Sequence, residues 1–179
     1  MRFISNHLGA AALVASLGLT ACTSINCPLD NIVVWTLTFY DSETEEALKL
    51  PAILTVDAEG AGTLYNMGTS INSMTLPMSM SADADTLYLR WRLTADTPAV
   101  TDTLYVAHTN EPHFEAIDCP AAIFHTITDA HLTPHANAYF PIAIDSVSIR
   151  RHQVDYNDVE NIRLYLRLTT DADAPLGPR

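Results

Sequence analysis

Residues 86–93 read TLYLRWRL, an unbroken alternation of apolar and polar side chains. Leu87, Leu89, Trp91 and Leu93 take one side of an extended strand, and Tyr88, Arg90 and Arg92 take the other, because successive strand side chains point to opposite faces. A segment that buries one face and wets the other belongs in an antiparallel sheet. The same pattern recurs near both ends of the chain. In residues 162–169 (IRLYLRLT), Ile162, Leu164, Leu166 and Leu168 alternate with Arg163, Tyr165 and Arg167. In residues 32–40 (IVVWTLTFY), Val33, Trp35, Leu37 and Phe39 share a face.

Shorter apolar runs at 52–56, 63–65, 74–76, 103–108, 113–117, 123–128 and 142–149 add further strands. The last changes parity between Ile144 and Val147, which predicts a β-bulge at Asp145-Ser146. Turn-forming residues at 57–60, 82–85, 95–98 and 110–112 separate the runs. No long helical period is present, and residues 42–48 read as a short turn. Many short strands at this spacing predict an all-β, antiparallel two-sheet β-sandwich, immunoglobulin-like or related.

The first residues read differently. Arg2 precedes a short, small-residue apolar run at 8–19, and the segment closes on Leu19-Thr20-Ala21-Cys22. A basic start, a short greasy stretch and small residues before a cut describe a secretory signal peptide. The run falls short of the roughly 20 residues of a membrane span. Leu-Thr-Ala-Cys resembles a bacterial lipobox, which makes Cys22 the lipidated N-terminus, carrying diacylglycerol and a further acyl chain such as palmitate. One acyl chain binds a membrane marginally and two or more bind stably, at about 0.8 kcal/mol per buried methylene. The expected organisation is a signal peptide over 1–21, a lipidated tether over 22–30, a β-sandwich over 31–170 and a flexible, Pro/Gly-rich tail over 171–179.

Removing 21 of the 179 residues leaves 158, enough for one domain with a core. Nine basic against 21 acidic residues give a net charge of −12, which loss of Arg2 deepens by one. An acidic surface argues against nucleic acid and against anionic headgroups as partners. With Cys22 lipidated, Cys27 and Cys119 remain, and an even pair in an exported chain reads as a disulfide. Free thiols or a metal pair are the alternatives, the latter without close ligand spacing.

Candidate chemistry is sparse. His125, His131 and His135 fall within one stretch, and three imidazoles could hold zinc or copper. The nearby proline and threonines work against helical spacing, so ordinary structural histidines are the expected outcome and a metal site the alternative. Gly68-Thr-Ser-Ile-Asn72 lacks the second glycine of a nucleophile elbow. Asp83-x-Asp85 and Asp171-x-Asp173 offer oxygens to calcium without an EF-hand pattern. No catalytic residue and no cofactor is expected. Trp35 and Trp91 lie on core-facing positions. Tyr88, Arg90, Tyr105, Tyr165 and Arg167 lie on polar faces, where they form either a contact surface for protein or sugar or ordinary cross-strand pairs.

The order of several short motifs resembles a Bacteroidetes outer-membrane lipoprotein family, domain of unknown function 6452. These are a second Cys soon after the lipidated one, Phe39-Tyr40-Asp41, Thr63-Leu-Tyr-Asn66, Leu76-Pro77, Asp118-Cys119 and the stretch 155–164 (DYNDVENIRL). The family often has Gly after the mid-chain Cys, where this chain has Pro120. The resemblance implies a β-rich outer-membrane lipoprotein and brings no activity or catalytic residues. Thr23-Ser24-Ile25-Asn26 lacks the acidic residues that follow the lipidated Cys in surface-exported lipoproteins of that phylum, so the periplasmic face is expected. The expected function is a non-catalytic, lipid-anchored subunit that contacts an envelope protein, with a carbohydrate-binding lipoprotein as the alternative.

Overall fold

The computed structural model describes Cys27 and residues 31–137 and 139–169. The leader, Cys22 and the tail lie outside the described residues, and so do the calcium candidates Asp171 and Asp173. Among the described residues ten strands run in order: β1 (Val34–Asp41), β2 (Ile53–Ala58), β3 (Gly62–Gly68), β4 (Ser73–Pro77), β5 (Ala84–Arg92), β6 (Val100–His113), β7 (Ala122–Thr133), β8 (Ile142–Ile149), β9 (Gln153–Val154) and β10 (Glu160–Leu168). Among the described residues there is no helix. A four-stranded sheet, β4-β1-β10-β8, faces a six-stranded sheet, β3-β2-β5-β6-β7-β9. The all-β sandwich expected from the alternation is the fold.

The core is what the alternation selected. Trp35, Leu37 and Phe39 of β1, Leu87, Leu89 and Trp91 of β5, and Ile162, Leu164 and Leu166 of β10 are buried in one cluster. Phe39 meets Trp91 edge-on, ring centres 6.3 Å apart. Offset and edge-on rings of this kind add to the burial energy. The bulge expected in β8 is present: Tyr165 pairs with Ser146 and Leu166 with Ile144, leaving Asp145 unopposed.

Several sequence readings are corrected. β1 and β10 run parallel, while the other strand pairs are antiparallel. Buried Asn161 secures that pair. Its Nδ2 donates to the carbonyls of Arg151 (3.1 Å) and Gln153 (2.9 Å), and its Oδ1 accepts from Thr36 N–H (3.1 Å). Residues 110–112 form no turn, and 113–117 form no separate strand. β6 runs unbroken to His113 and pairs with β7 as far as Ala122. Its pairing with β5 ends opposite Ala107. His108 N–H still donates to Asp83 O at 2.8 Å and Asn110 Nδ2 to Ala82 O at 2.7 Å, but past these no strand among the described residues pairs with that side, where Pro112 costs no ladder hydrogen bond. Leu93 lies past the end of β5 and is exposed. The two-residue β9 had no detectable period.

Cys27 and Cys119 form a disulfide with Cα atoms 5.4 Å apart. Cys119 sits in the β6–β7 loop, and Asn31 Nδ2 donates to Ala121 O at 3.0 Å. The start of β1 and the tip of the β6–β7 hairpin are thereby joined at one end of the sandwich.

Candidate functional site

The buried face of β6 reads Asp102, Leu104, Val106, His108, at alternate positions, with Asn110 next in the same series. Polar side chains stand at both ends of an apolar row, and each organises one end of the sandwich.

At the end away from the disulfide, Asp102 is buried and takes three donors. Trp91 Nε1–H donates to Oδ2 at 2.7 Å. The backbone N–H of His135 (2.6 Å) and its Nδ1 (2.8 Å) both reach Oδ1. A buried carboxylate is tolerated when donors replace its lost water. His135 Nδ1 therefore carries the proton, and Phe140 meets the ring edge-on at 5.6 Å. Beside this ring opens a cleft of about 540 Å³ lined by Glu43, His135, Asn137, Phe140, Arg167 and Thr169, among others. Tyr139 stands on the same loop with 68 % of its surface exposed.

At the disulfide end, Asn110 organises two histidines. Its Nδ2 donates to Ala82 O at 2.7 Å, which fixes the amide orientation. Oδ1 then faces His108 Nδ1 (2.9 Å) and His125 Nδ1 (2.7 Å). Since an amide oxygen only accepts, both Nδ1 atoms carry protons. His108 Nε2 lies 3.3 Å from Asp85 Oδ2, but outside hydrogen-bond geometry, and is otherwise unpartnered. Asp85 also accepts from Ser79 N–H at 3.0 Å, so the Asp83-x-Asp85 pair serves the fold on its second member. Burial, and next the neighbouring His108, lower the pKa of His125 to about 4, against the opposing effect of Asp85. Its imidazole stays neutral at ordinary pH.

The three histidines considered as a metal set do not converge. His125 is buried at the disulfide end and His135 lies at the other. His131 stacks on Tyr105 on the outer face, centroids 4.6 Å apart. The reason is a second bulge. Ala107 pairs with Asp129 and His108 with Ile127, so Thr128 is unopposed and the parity of β7 reverses between His125 and His131. Among the described residues no three metal-ligating side chains are grouped.

The expected contact surface also divides. Tyr88 and Arg90 lie on the outer face of the six-stranded sheet, where Arg90 Nε sits 2.9 Å from Asp57 Oδ2 at an angle outside hydrogen-bond geometry. Thr63 donates its hydroxyl to the other oxygen of Asp57 at 2.5 Å. Tyr165 and Arg167 lie on the outer face of the four-stranded sheet. Tyr165 packs on Tyr40 (5.9 Å), Arg163 covers the Tyr40 ring at 4.2 Å, and Arg167 reaches Asp145 at 3.2 Å. These are cross-strand pairs on two opposite surfaces. The structure does bring together two residues from separate sequence readings, His135 and Arg167, in the one cleft. Asp102, Asn110 and Asn161 escaped the sequence reading. For Asp102 and Asn110 a polar residue on the inward register of a strand was the available signal, whereas Asn161 falls at the register shift between β1 and β10, off the inward row of Ile162, Leu164 and Leu166.

The fold and both ends thus describe a two-sheet β-sandwich stapled to its N-terminal segment. A family model, Family of unknown function (DUF6452), matches residues 53–166, and the chain belongs to that family. The match runs from β2 into β10 and takes in both polar clusters. No curated protein and no solved structure matches the chain.

Proposed function

We propose that this protein is a lipid-anchored, non-catalytic envelope lipoprotein of the Bacteroidetes type, held to the outer membrane through Cys22, on its periplasmic face. The sandwich offers the end bearing Arg167, His135 and Tyr139 to another envelope protein. The supporting observation is the disulfide. Cys27 is five residues from Cys22, and its bond to Cys119 attaches the tether to one end of the sandwich. The polar cleft is then the end left free for a partner. Asp102 supports a structural role, since Trp91 and the His135 backbone already occupy it. A pair so engaged is built to hold a loop in place.

Cross-linking in living cells of the full-length, acylated protein tests this. The expected result is one stoichiometric envelope protein, lost from the Arg167→Glu variant while the sandwich stays folded. Retention of the same adduct in that variant would place the contact elsewhere. The carbohydrate alternative draws on exposed Tyr139, whose backbone N–H donates to Oδ1 of the cleft residue Asn137 at 3.0 Å, since sugars stack on such rings and bond to polar groups like those of the cleft. It predicts glycan binding, lost on Tyr139→Ala, and no protein adduct.

A further inference from the structure

Eight large hydrophobic side chains are exposed among the described residues, and six of them lie at the disulfide end: Ile32, Met80, Phe114, Ile117, Tyr156 and Val159. Their position follows from the register. Ile32 precedes β1, and Val34 pairs with Pro77 at the end of β4, so the 78–83 loop with Met80 lies beside it. A cleft of about 180 Å³ is shared by Ile32, Met80 and Ile123. Phe114 and Ile117 occupy the β6–β7 loop that Cys119 closes onto Cys27. Behind them His113 stacks on Phe124 (4.2 Å), and Tyr156 meets Phe124 edge-on (5.1 Å). Val159 precedes β10, which starts beside β1 because the two are parallel.

Ile117 is 95 % exposed, Met80 69 %, Ile32 65 % and Phe114 63 %. Side chains of this size rarely stand out together on one end of a soluble domain unless something covers them. The chain length supplies the cover. Five residue steps separate Cys22 from Cys27, a reach of at most roughly 17 Å at full extension. β1 alone, at eight residues, is about 27 Å long. An acyl chain on Cys22 therefore keeps the disulfide end within reach of the bilayer whatever the path of the tether.

We infer that this end of the sandwich is a second membrane contact, in which Phe114 and Ile117, flanked by Ile32 and Met80, enter the headgroup and upper acyl region of a lipid surface. The inference rests on the lipid anchor proposed above. Glu115 and Asp118 stand in the same loop, with Asp83 nearby, so the surface suits zwitterionic lipid and is repelled by anionic lipid. Glu115 Oε1 is hydrogen-bonded to His113 Nε2 at 3.1 Å. Inserted apolar side chains beside an acyl anchor fix the orientation of the domain on the membrane.

Depth-dependent fluorescence quenching in vesicles provides the test. The native indoles of Trp35 and Trp91 are buried and give a shielded background. The acylated Ile117→Trp and Tyr139→Trp variants are reconstituted in phosphatidylcholine vesicles whose acyl chains are brominated near the headgroup. The expected result is at least a twofold quenching of the added indole of Ile117→Trp and none for Tyr139→Trp. Vesicle flotation separates the two levels of the account. A chain that floats with both added indoles unquenched overturns the membrane contact and leaves the anchor standing. A chain carrying no lipid by mass spectrometry, and failing to float, overturns the anchor and this inference with it.

Discussion

At the disulfide end His108 and His125 share the Oδ1 of Asn110, while at the other end Trp91 and His135 share the carboxylate of Asp102. Both clusters grow from the same inward row of β6, and their surroundings differ. The first has a backbone carbonyl as its outer anchor, a His108 Nε2 that faces Asp85 Oδ2 outside hydrogen-bond geometry, and apolar side chains on the surface beyond it. The second uses both carboxylate oxygens internally and opens beside a polar cleft. A single strand can thus close a sandwich at both ends with buried polar groups while the exposed surfaces at those ends take opposite character. Satisfying polar groups inside costs nothing to the outer surface, which stays free to be greasy at one end and hydrophilic at the other.

The largest expected effect separates the ends by their covalent closure. Replacing both Cys27 and Cys119 with serine removes a cross-link spanning 92 residues. The chain-entropy model puts the loss at roughly 4–5 kcal/mol, measurable by urea unfolding. Hydrogen exchange should accelerate first in the far half of β6 and the start of β7. Equal acceleration around Asp102 would break the distinction between the ends.

Asp102→Ala comes next. It strands Trp91 Nε1–H and two donors of His135, and an unmet buried donor costs on the order of 1–3 kcal/mol. A loss of about 3 kcal/mol in thermal unfolding is expected, with the signal of Trp91 changed in the native state. The acid response of the disulfide end follows. His125 has a pKa of about 4 in the fold and 6.5 when free. Between those values the unfolded chain binds more protons, so stability is lost as pH falls from about 6.5 toward 4. The loss over that range is about 3 kcal/mol, and His125→Asn should flatten that limb of the pH profile. Arg167→Ala should move stability by less than about 0.5 kcal/mol, because its pair with Asp145 is solvent-exposed. A larger drop would mean that the cleft wall is structural and not free for a partner.

Much of the fold was legible in the chain. The alternation in β1, β5 and β10 gave the core residues and the sandwich, and the parity change at Asp145 gave a bulge. The bulge at Thr128 was not legible, because His125, Ile127, Ala130 and Leu132 carry no strong contrast with their neighbours. Missing it left His125, His131 and His135 as one set. The parallel pairing of β1 with β10 depends on a long-range contact through Asn161, and no local pattern encodes that. Pro112 read as a turn because its tolerance depends on β5 stopping opposite Ala107. Tyr165 and Arg167 were read correctly as outward-facing, but which sheet each strand joins is a property of topology.

The most direct measurement places a photoreactive amino acid at position 139 or at position 117 of the acylated protein in living cells. Irradiation should give a discrete protein adduct from position 139 and lipid adducts, without protein, from position 117. A protein adduct from position 117, or lipid adducts from position 139, would contradict the assignment of the two ends.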